Sequence, residues 1–550
     1  MNALTRSSNL PVFCRYSFQE KQVTGRSAET AVRSHDDRSM MSTICLFLNQ
    51  SESLSEMRCN TKIINVFAHS IPNFPTEFLI LNQISLISKI RVQVTMARLT
   101  ALSFLLLQAT LTVNANEHRN ISDDLTFDFP KDPGVSGSPI EIVHAYFGQW
   151  PTGIGASSTG RLFSNFPGGL DPANVNNGTP GIFTVGELVS SSSEKAYPSE
   201  EMNTPPCSGG AIDLTDPENP VGCGSQDHLI AVQSVVVDPK DRLWILDTGR
   251  PMYKFPNNGS VVLLPSSFGG PKLVGVDLTN DKVFKTIPFP PEVALPADTY
   301  LNDVRFDLRP NITSSGEGVA YITDSSSTGQ NAIIVVDLGT GESWRKLERH
   351  PSVLPKPDFL PFVWGHPLYY VSDPGHPPSG DFLTTSPPGY IPMGSDGIAI
   401  SPSGDTLFYC PLASRNLFSV PTSLLRDRSD TSDPSSSVTN HGQSGPADGL
   451  ETDSNGIIYK GNQEANAVVA YNPKTGTTQT VTRDPRIGWV DTLSVAEDGY
   501  LYFTSNQLHL SGATWTPDES GANQGDKRQR PFGLFRVKLV DGGRKIPAPQ

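Results

Sequence analysis

From about residue 232 onward, apolar and polar positions alternate with a period of two, in short runs broken by turns rich in Asp, Pro, Gly and Ser. The stretches that carry this pattern are "VQSVVVDPKDRLWILDTG" from Val232, "LNDVRFDLRPNITSSGEGVAYITDSS" from Leu301, "GSDGIAISPSGDTLFYCPL" from Gly394, "GPADGLETDSNGIIYKG" from Gly445 and "GWVDTLSVAEDGYLYFTSN" from Gly488. In each, a polar residue precedes an alternating strand, a turn follows, and a second strand contains an aromatic residue. A third strand follows in several, as in "NAIIVVDLGTGE", "RNLFSVPTS" and "NAVVAYNPKTGT", ending on a hairpin turn that leads into a fourth. Asp396, Asp448 and Asp491 recur at intervals of about 40–50 residues, the length of a four-stranded blade. Strand-type alternation with Gly and Pro punctuation excludes a helical solenoid. A weaker unit at about 139–190 ("IEIVHAYF", "GRLFSNF", "GIFTVGEL") brings the expected total to six. The chain is therefore expected to be all-β, a six-bladed β-propeller over 139–540, with "FGLFRVKL" at 532–539 closing the ring against the first blade.

In a propeller the first strand of each blade lines the central channel, so the residue before it sits at a channel mouth. Gln233, Asn302, Asp303, Asp396, Asp448 and Asp491 take that place. Carboxylates brought together are costly unless something neutralises them. A divalent cation such as Ca²⁺, which prefers oxygen ligands, would do so, and so would a cationic organic ligand. An aspartate at the start of a strand also commonly accepts backbone N–H bonds from the adjacent turn, and the sequence leaves both roles open for each residue.

Upstream of the repeats the pattern changes. "MARLTALSFLLLQATLTVNANEHRN" from Met96 has a basic start, an apolar core and small residues at Val113-Asn114-Ala115, which reads as a secretory signal peptide over 96–115. Residues 1–95 then read as a non-native extension from an upstream start, 116–138 as an N-terminal segment and 541–550 as a tail. Secretion fits the glycosylation sequons at Asn120, Asn177, Asn258 and Asn311, all downstream of the signal. In the mature part Cys207 and Cys223 bracket a Gly- and Pro-rich loop and are expected to pair, leaving Cys410 a buried free thiol. The formal net charge of -14 argues against nucleic acid as a partner, and no stretch has the apolar length of a membrane span. Oligomeric state is not readable.

The phrases at 233–249, 300–307, 394–420, 448–459 and 503–510, the last being "FTSNQLHL" with Asn506, resemble the major royal jelly protein and yellow family. The resemblance spans roughly 139–540 and implies a secreted six-bladed propeller. Members are implicated in pigment metabolism, including dopachrome conversion, in binding small aromatic amines, and as abundant secreted proteins without clear catalysis. By this resemblance Asn506 joins the expected channel-mouth set. Two insertions depart from the family pattern. One is a Pro-rich stretch between Leu347 and Asp396 carrying Trp364, Tyr369, Tyr370 and Tyr390, which reads as either a lid or a packed surface loop. The other is a polar stretch, 426–445, which reads as a mobile loop. More distantly, "LND" at 301–303, "SDG" at 395–397 and "ADG" at 447–449 resemble the metal-binding phrases of gluconolactonases and the senescence-marker group. That resemblance implies Asn302, Asp396 and Asp448 as metal ligands.

Zinc-protease, serine-hydrolase and P-loop signatures are absent, and the histidines are scattered. Three functions remain. The first is a secreted propeller that binds a small aromatic or cationic molecule in its channel, extended to isomerase-type chemistry. The second is a Ca²⁺-dependent, lactonase-like hydrolase. The third is a non-catalytic extracellular protein.

Overall fold

The structure is a computed structural model and describes residues 132–371, 389–429, 432–515 and 525–549. The extension 1–95, the signal segment 96–115, Asn120 and part of the Pro-rich insertion lie outside the described residues.

Six antiparallel sheets of four or five strands make up the fold. Their first strands are Ile154–Ala156, Val232–Val237, Leu301–Asp307, Ser395–Ile400, Leu450–Thr452 and Val490–Val495; each packs against the next, and the last against the first. This is an all-β, six-bladed propeller; the single α-helix among the described residues is Thr422–Arg426. The reason for the apolar pattern lies between the blades. Trp244, Leu246 and Leu273 of blade two pack on Val304, Phe306 and Ile334 of blade three, and Tyr459 and Val468 of blade five pack on Leu493, Phe503 and Phe535 of blade six. The aromatic residue in each second strand, such as Trp244, Tyr409, Tyr459 or Phe503, is fully buried between neighbouring sheets. Burial of that size, about 1.5–3 kcal/mol per large side chain, makes blade-to-blade packing the main stabilising term.

Ring closure differs from the expectation in one respect. Phe532–Lys538 pairs with Tyr500–Ser505 on one side and Glu141–Tyr146 on the other. "IEIVHAYF" is therefore the outer strand of blade six, and blade one begins at Ile154–Ala156. The pattern of Glu141–Tyr146 fits an edge, since Glu141 and Ile142 are exposed while His144 and Tyr146 are buried. Just upstream, Ser136–Gly137 pairs with the outer strand of blade five, Thr477–Arg483. The His144 imidazole meets Glu194 of blade one at 2.7 Å. One short stretch thus clasps three blades.

The polar insertion 426–445 also differs from expectation. It contains Thr439–Gln443, the outer strand of blade four, paired with Asn416–Pro421. This strand is exposed or half-buried along its length, so its sequence carries no apolar alternation. Cys207 and Cys223 form a disulfide in the loop between blades one and two, and Cys410 is free and buried, its thiol pushed up to about 11 by burial.

Candidate functional site

Three of the inner strands open on a register irregularity, between Leu301 and Val304, Ser395 and Ile398, and Val490 and Leu493. A bulge releases residues from the ladder and re-aims their side chains, and such bulges favour functional sites. The released residues are Asn302-Asp303, Asp396-Gly397 and Asp491-Thr492.

The glycine that follows Asp396 and Asp448 has a steric cause. A Cβ on Gly397 would lie 2.2 Å from the Asp448 carbonyl oxygen, and one on Gly449 would lie 2.3 Å from that of Asp491. The Gly449 N–H donates to that same Asp491 oxygen at 2.8 Å. Blades five and six are joined backbone to backbone at this level, and blade four approaches blade five closely at Gly397, which brings their carboxylates near one another.

These residues line a cavity of about 470 Å³ at one mouth of the channel. Gln233, Asn302, Asp396, Asp448 and Asp491 are part of its polar lining, with Arg250, Ser325 and Thr328 among the rest, while Leu170, Met252, Tyr300, Tyr370, Met393 and Trp489 supply apolar and aromatic walls. The described parts of the Pro-rich insertion reach this mouth. Its Tyr369–Tyr370 strand pairs with Thr514–Trp515, and Ile391, Pro392 and Thr514 line the cavity too.

Every carboxylate has a fixed donor. Asn302 Nδ2 donates to Asp396 Oδ2 at 2.9 Å, Trp489 Nε1 to Asp448 Oδ2 at 2.7 Å, and Asn506 Nδ2 to Asp491 Oδ2 at 2.6 Å. Thr492 Oγ1 also donates to Asp491 Oδ1 at 3.0 Å. These donors do not cancel charge. Burial, and then the neighbouring Asp448 carboxyl within hydrogen-bonding reach, hold Asp396 well above the usual carboxylate range. Burial followed by Asp448 does the same to Asp491, and burial raises Asp448 itself. Charge on any one of the three opposes ionisation of its neighbours. Arg250 reaches the cavity, but its guanidinium is engaged by the carbonyls of Leu264, Thr299 and Ala297.

Two expected mouth residues lie elsewhere. Asp303 is not part of the cavity lining: both its carboxylate oxygens accept from Arg305 Nη1 at 3.0 Å, and Oδ1 also accepts from Ser234 Oγ at 2.8 Å. Arg305 continues to the Leu450 carbonyl and, at 3.5 Å, to Glu451. A chain of polar contacts thus runs from blade two through blade three to blade five. On its far side is a second cavity of about 280 Å³, lined by Arg305 and Glu451. Asn506 is fully buried behind Asp491, where it also donates to the Pro151 carbonyl.

His509 carried no signal in the sequence. It is buried against the ring edge of Trp364 at 4.6 Å and stacked on Trp489 at 6.2 Å, and burial pushes its imidazole down to about 4. Trp489 thus connects this aromatic stack to Asp448. Among the described residues no three His, Cys, Asp or Glu side chains are grouped so as to hold a metal. Asn177, Asn258 and Asn311 are exposed. No helix among the described residues is long and apolar enough to cross a membrane.

The major royal jelly protein family profile matches residues 230–518, more than half of the chain. The chain belongs to the major royal jelly protein family. Major royal jelly protein 7 of Apis mellifera is 26% identical over 197 residues, 35% of this chain and 35% of that relative. Major royal jelly protein 3 of the same organism is 24% identical over 243 residues, 42% of this chain and 36% of the relative. The matched part is about a third of the length of these curated relatives. Among solved structures, a luciferin-regenerating enzyme has a TM-score of 0.38 at 10% identity, covering 75% of this chain and 98% of that one. A gluconolactonase from Xanthomonas campestris has a TM-score of 0.37 at 10% identity, covering 75% and 99%.

Proposed function

We propose that this royal jelly-family propeller is a secreted protein that binds a small aromatic cation, an arylalkylamine, in the acidic mouth of its channel. The observation that carries the reading is the trio Asp396, Asp448 and Asp491, buried with no Lys or Arg ion-paired to them among the described residues, against a cavity with Tyr300, Tyr370 and Trp489 in its walls. An ammonium group would supply the missing charge, and the rings would cover the aromatic part. Isothermal titration against catecholamines, indoleamines and their deaminated analogues tests it. An amine should bind at least tenfold more tightly than its deaminated analogue. No heat with any amine, using folded protein, overturns the reading. Secretion and glycans on Asn120, Asn177, Asn258 and Asn311 belong to the same proposal, and mass spectrometry of secreted material tests them: the sequons should carry glycan and residues 1–95 should be missing.

The coupled carboxyls support a second reading. One protonated and one ionised carboxyl side by side form a general acid and base for tautomerising a bound quinone or enol, the isomerase-type extension. Calcium is the other means of neutralising the trio. Asn302, Asp396 and Asp448 would be its ligands, with the Asn302 amide reversed, because its nitrogen now faces Asp396. Calcium titration with and without EDTA, read against lactone hydrolysis, separates that reading from amine binding.

A further inference from the structure

The mouth opposite the acidic one is closed by the chain itself. After the last strand, residues 543–549 cross the far end of the channel, and Lys545, Ile546, Pro547 and Pro549 line the cavity there. Every blade contributes to that cavity: Ile154, Val236, Phe306, Ile400, Thr452 and Val495 come from blades one to six in turn. Its wall is mixed, with Asp238, Arg305, Asp307, Arg309 and Glu451 set among these mostly apolar residues, and the crossing segment covers it.

The attachments of the segment are few. The Ser454 N–H donates to the Arg544 carbonyl at 2.8 Å, and the Arg544 N–H donates to Ser454 Oγ at 3.2 Å. Lys545 Nζ donates to the Ala156 carbonyl at 3.3 Å. Among the described residues, no backbone-to-backbone hydrogen bond holds residues 545–549, and Pro547 and Pro549 have no N–H to give. The charges facing Lys545 come from several elements: Asp238 and Asp241 at the first turn of blade two, Glu451 on blade five and Glu497 on blade six. Among the described residues none of these carboxylates lies within 4.0 Å of the ammonium; Asp238 is paired with Arg242 and Glu451 faces Arg305, so the diffuse negative rim is set mainly by Asp241 and Glu497. Such a rim attracts a cation without locking it and is screened by salt.

We propose that this mouth is a peptide-binding site, filled here in cis by residues 543–549 and able to take an unlinked peptide of the same chemistry, a lysine followed by aliphatic and proline residues. Two prolines in an extended segment lower the ordering cost of binding, which suits a short ligand with few hydrogen bonds. The Asp303–Arg305–Glu451 chain of contacts stands between this mouth and the acidic one, and the two cavities share no lining residue.

The test uses a fluorescein-labelled peptide with the sequence of residues 541–550, titrated by anisotropy into the intact protein and into a form ending at Gly542. The peptide should bind the shortened form at least tenfold more tightly than the intact one. A peptide carrying Lys545→Glu should bind at least tenfold more weakly, and 0.5 M salt should weaken the parent peptide several-fold. Equal binding to both proteins, or none to a shortened form with an unchanged melting profile, overturns the proposal. If the shortened form does not fold, Lys545→Glu in the intact chain takes its place: amide exchange at Arg544, whose N–H donates to Ser454 Oγ, should accelerate at least tenfold, and unchanged exchange overturns the idea. Amine affinity at the acidic mouth should stay the same in either variant, so this site stands or falls separately from the amine reading.

Discussion

Asp396→Asn should make the protein more stable at neutral pH while weakening its grip on a cation. Asp396 is 4% exposed, accepts one hydrogen bond from Asn302, and has the Asp448 carboxyl within hydrogen-bonding reach. The new amide can keep both contacts: its oxygen accepts from Asn302, and its nitrogen donates to Asp448 where two like-charged oxygens faced each other before. Each unit by which the folded state raises a carboxyl pKa costs about 1.4 kcal/mol once that group ionises. Replacing buried charge with a neutral group of similar shape stabilises by roughly 1–4 kcal/mol in comparable cases. For a propeller of this size that corresponds to a gain of ~1–4 °C in melting temperature. The pH dependence fixes the cause. A carboxyl raised on folding binds its proton more tightly in the folded state, so its destabilising effect is full above the raised value and fades as pH falls toward 3.8, the unperturbed value. The gain from Asp396→Asn should be largest near pH 7.5 and nearly gone at pH 4. Thermal unfolding at both pH values, with amine titration on the same samples, supplies the readout. Affinity should fall about 5–150-fold if the carboxylate contacts the ammonium. A variant less stable at pH 7.5, or one whose gain does not change with pH, would refute the claim that Asp396 is held under electrostatic strain.

Three further outcomes are expected. Arg305→Met should destabilise by about 3–5 kcal/mol, read by denaturant unfolding, because it leaves Asp303 charged and unpaired inside the channel. Lys272→Met should cost a similar ~3–5 kcal/mol, since the Lys272–Asp247 pair at 2.8 Å is wholly buried; adding Asp247→Asn should recover little, because both Asp247 oxygens also accept backbone N–H groups and an amide nitrogen cannot. Removing the Cys207–Cys223 bridge, which spans 16 residues, should cost about 3 kcal/mol, while Cys410 should stay unlabelled by thiol reagents until the protein unfolds.

Most blades that were legible in the sequence have long inner strands; blade five, whose inner strand Leu450–Thr452 has three residues, was legible through its Asp448-Gly449 entry and the turn that follows. Val232–Val237, Ser395–Ile400 and Val490–Val495 carry six residues each, enough for alternation to show. Blade one was misplaced because its inner strand, Ile154–Ala156, has only three residues and reads "IGA", while the nearby "IEIVHAYF" has the stronger pattern and belongs to another sheet. Sequence spacing located Asp396, Asp448 and Asp491, yet it did not separate Asn302 from Asp303. The bulge at Leu301–Val304 decides which of the two faces the mouth, and a bulge changes side-chain direction without changing composition. Asn506, expected at the mouth, acts from behind the cavity wall, and so does His509, whose contacts are made across the fold where no local pattern announces them.

The clasp formed by Ser136–Gly137 and Glu141–Tyr146 has a consequence for synthesis. These strands leave the ribosome before any blade exists, yet their partners, Thr477–Arg483 and Phe532–Lys538, are among the last residues made. Throughout translation of the ring, the nascent chain carries an unsatisfied strand with Ile142 on its open face. An exposed edge of that kind recruits other strands. Chaperone dependence during production, and dimers formed by exchange of this first strand between two chains, are therefore the failure modes this topology invites.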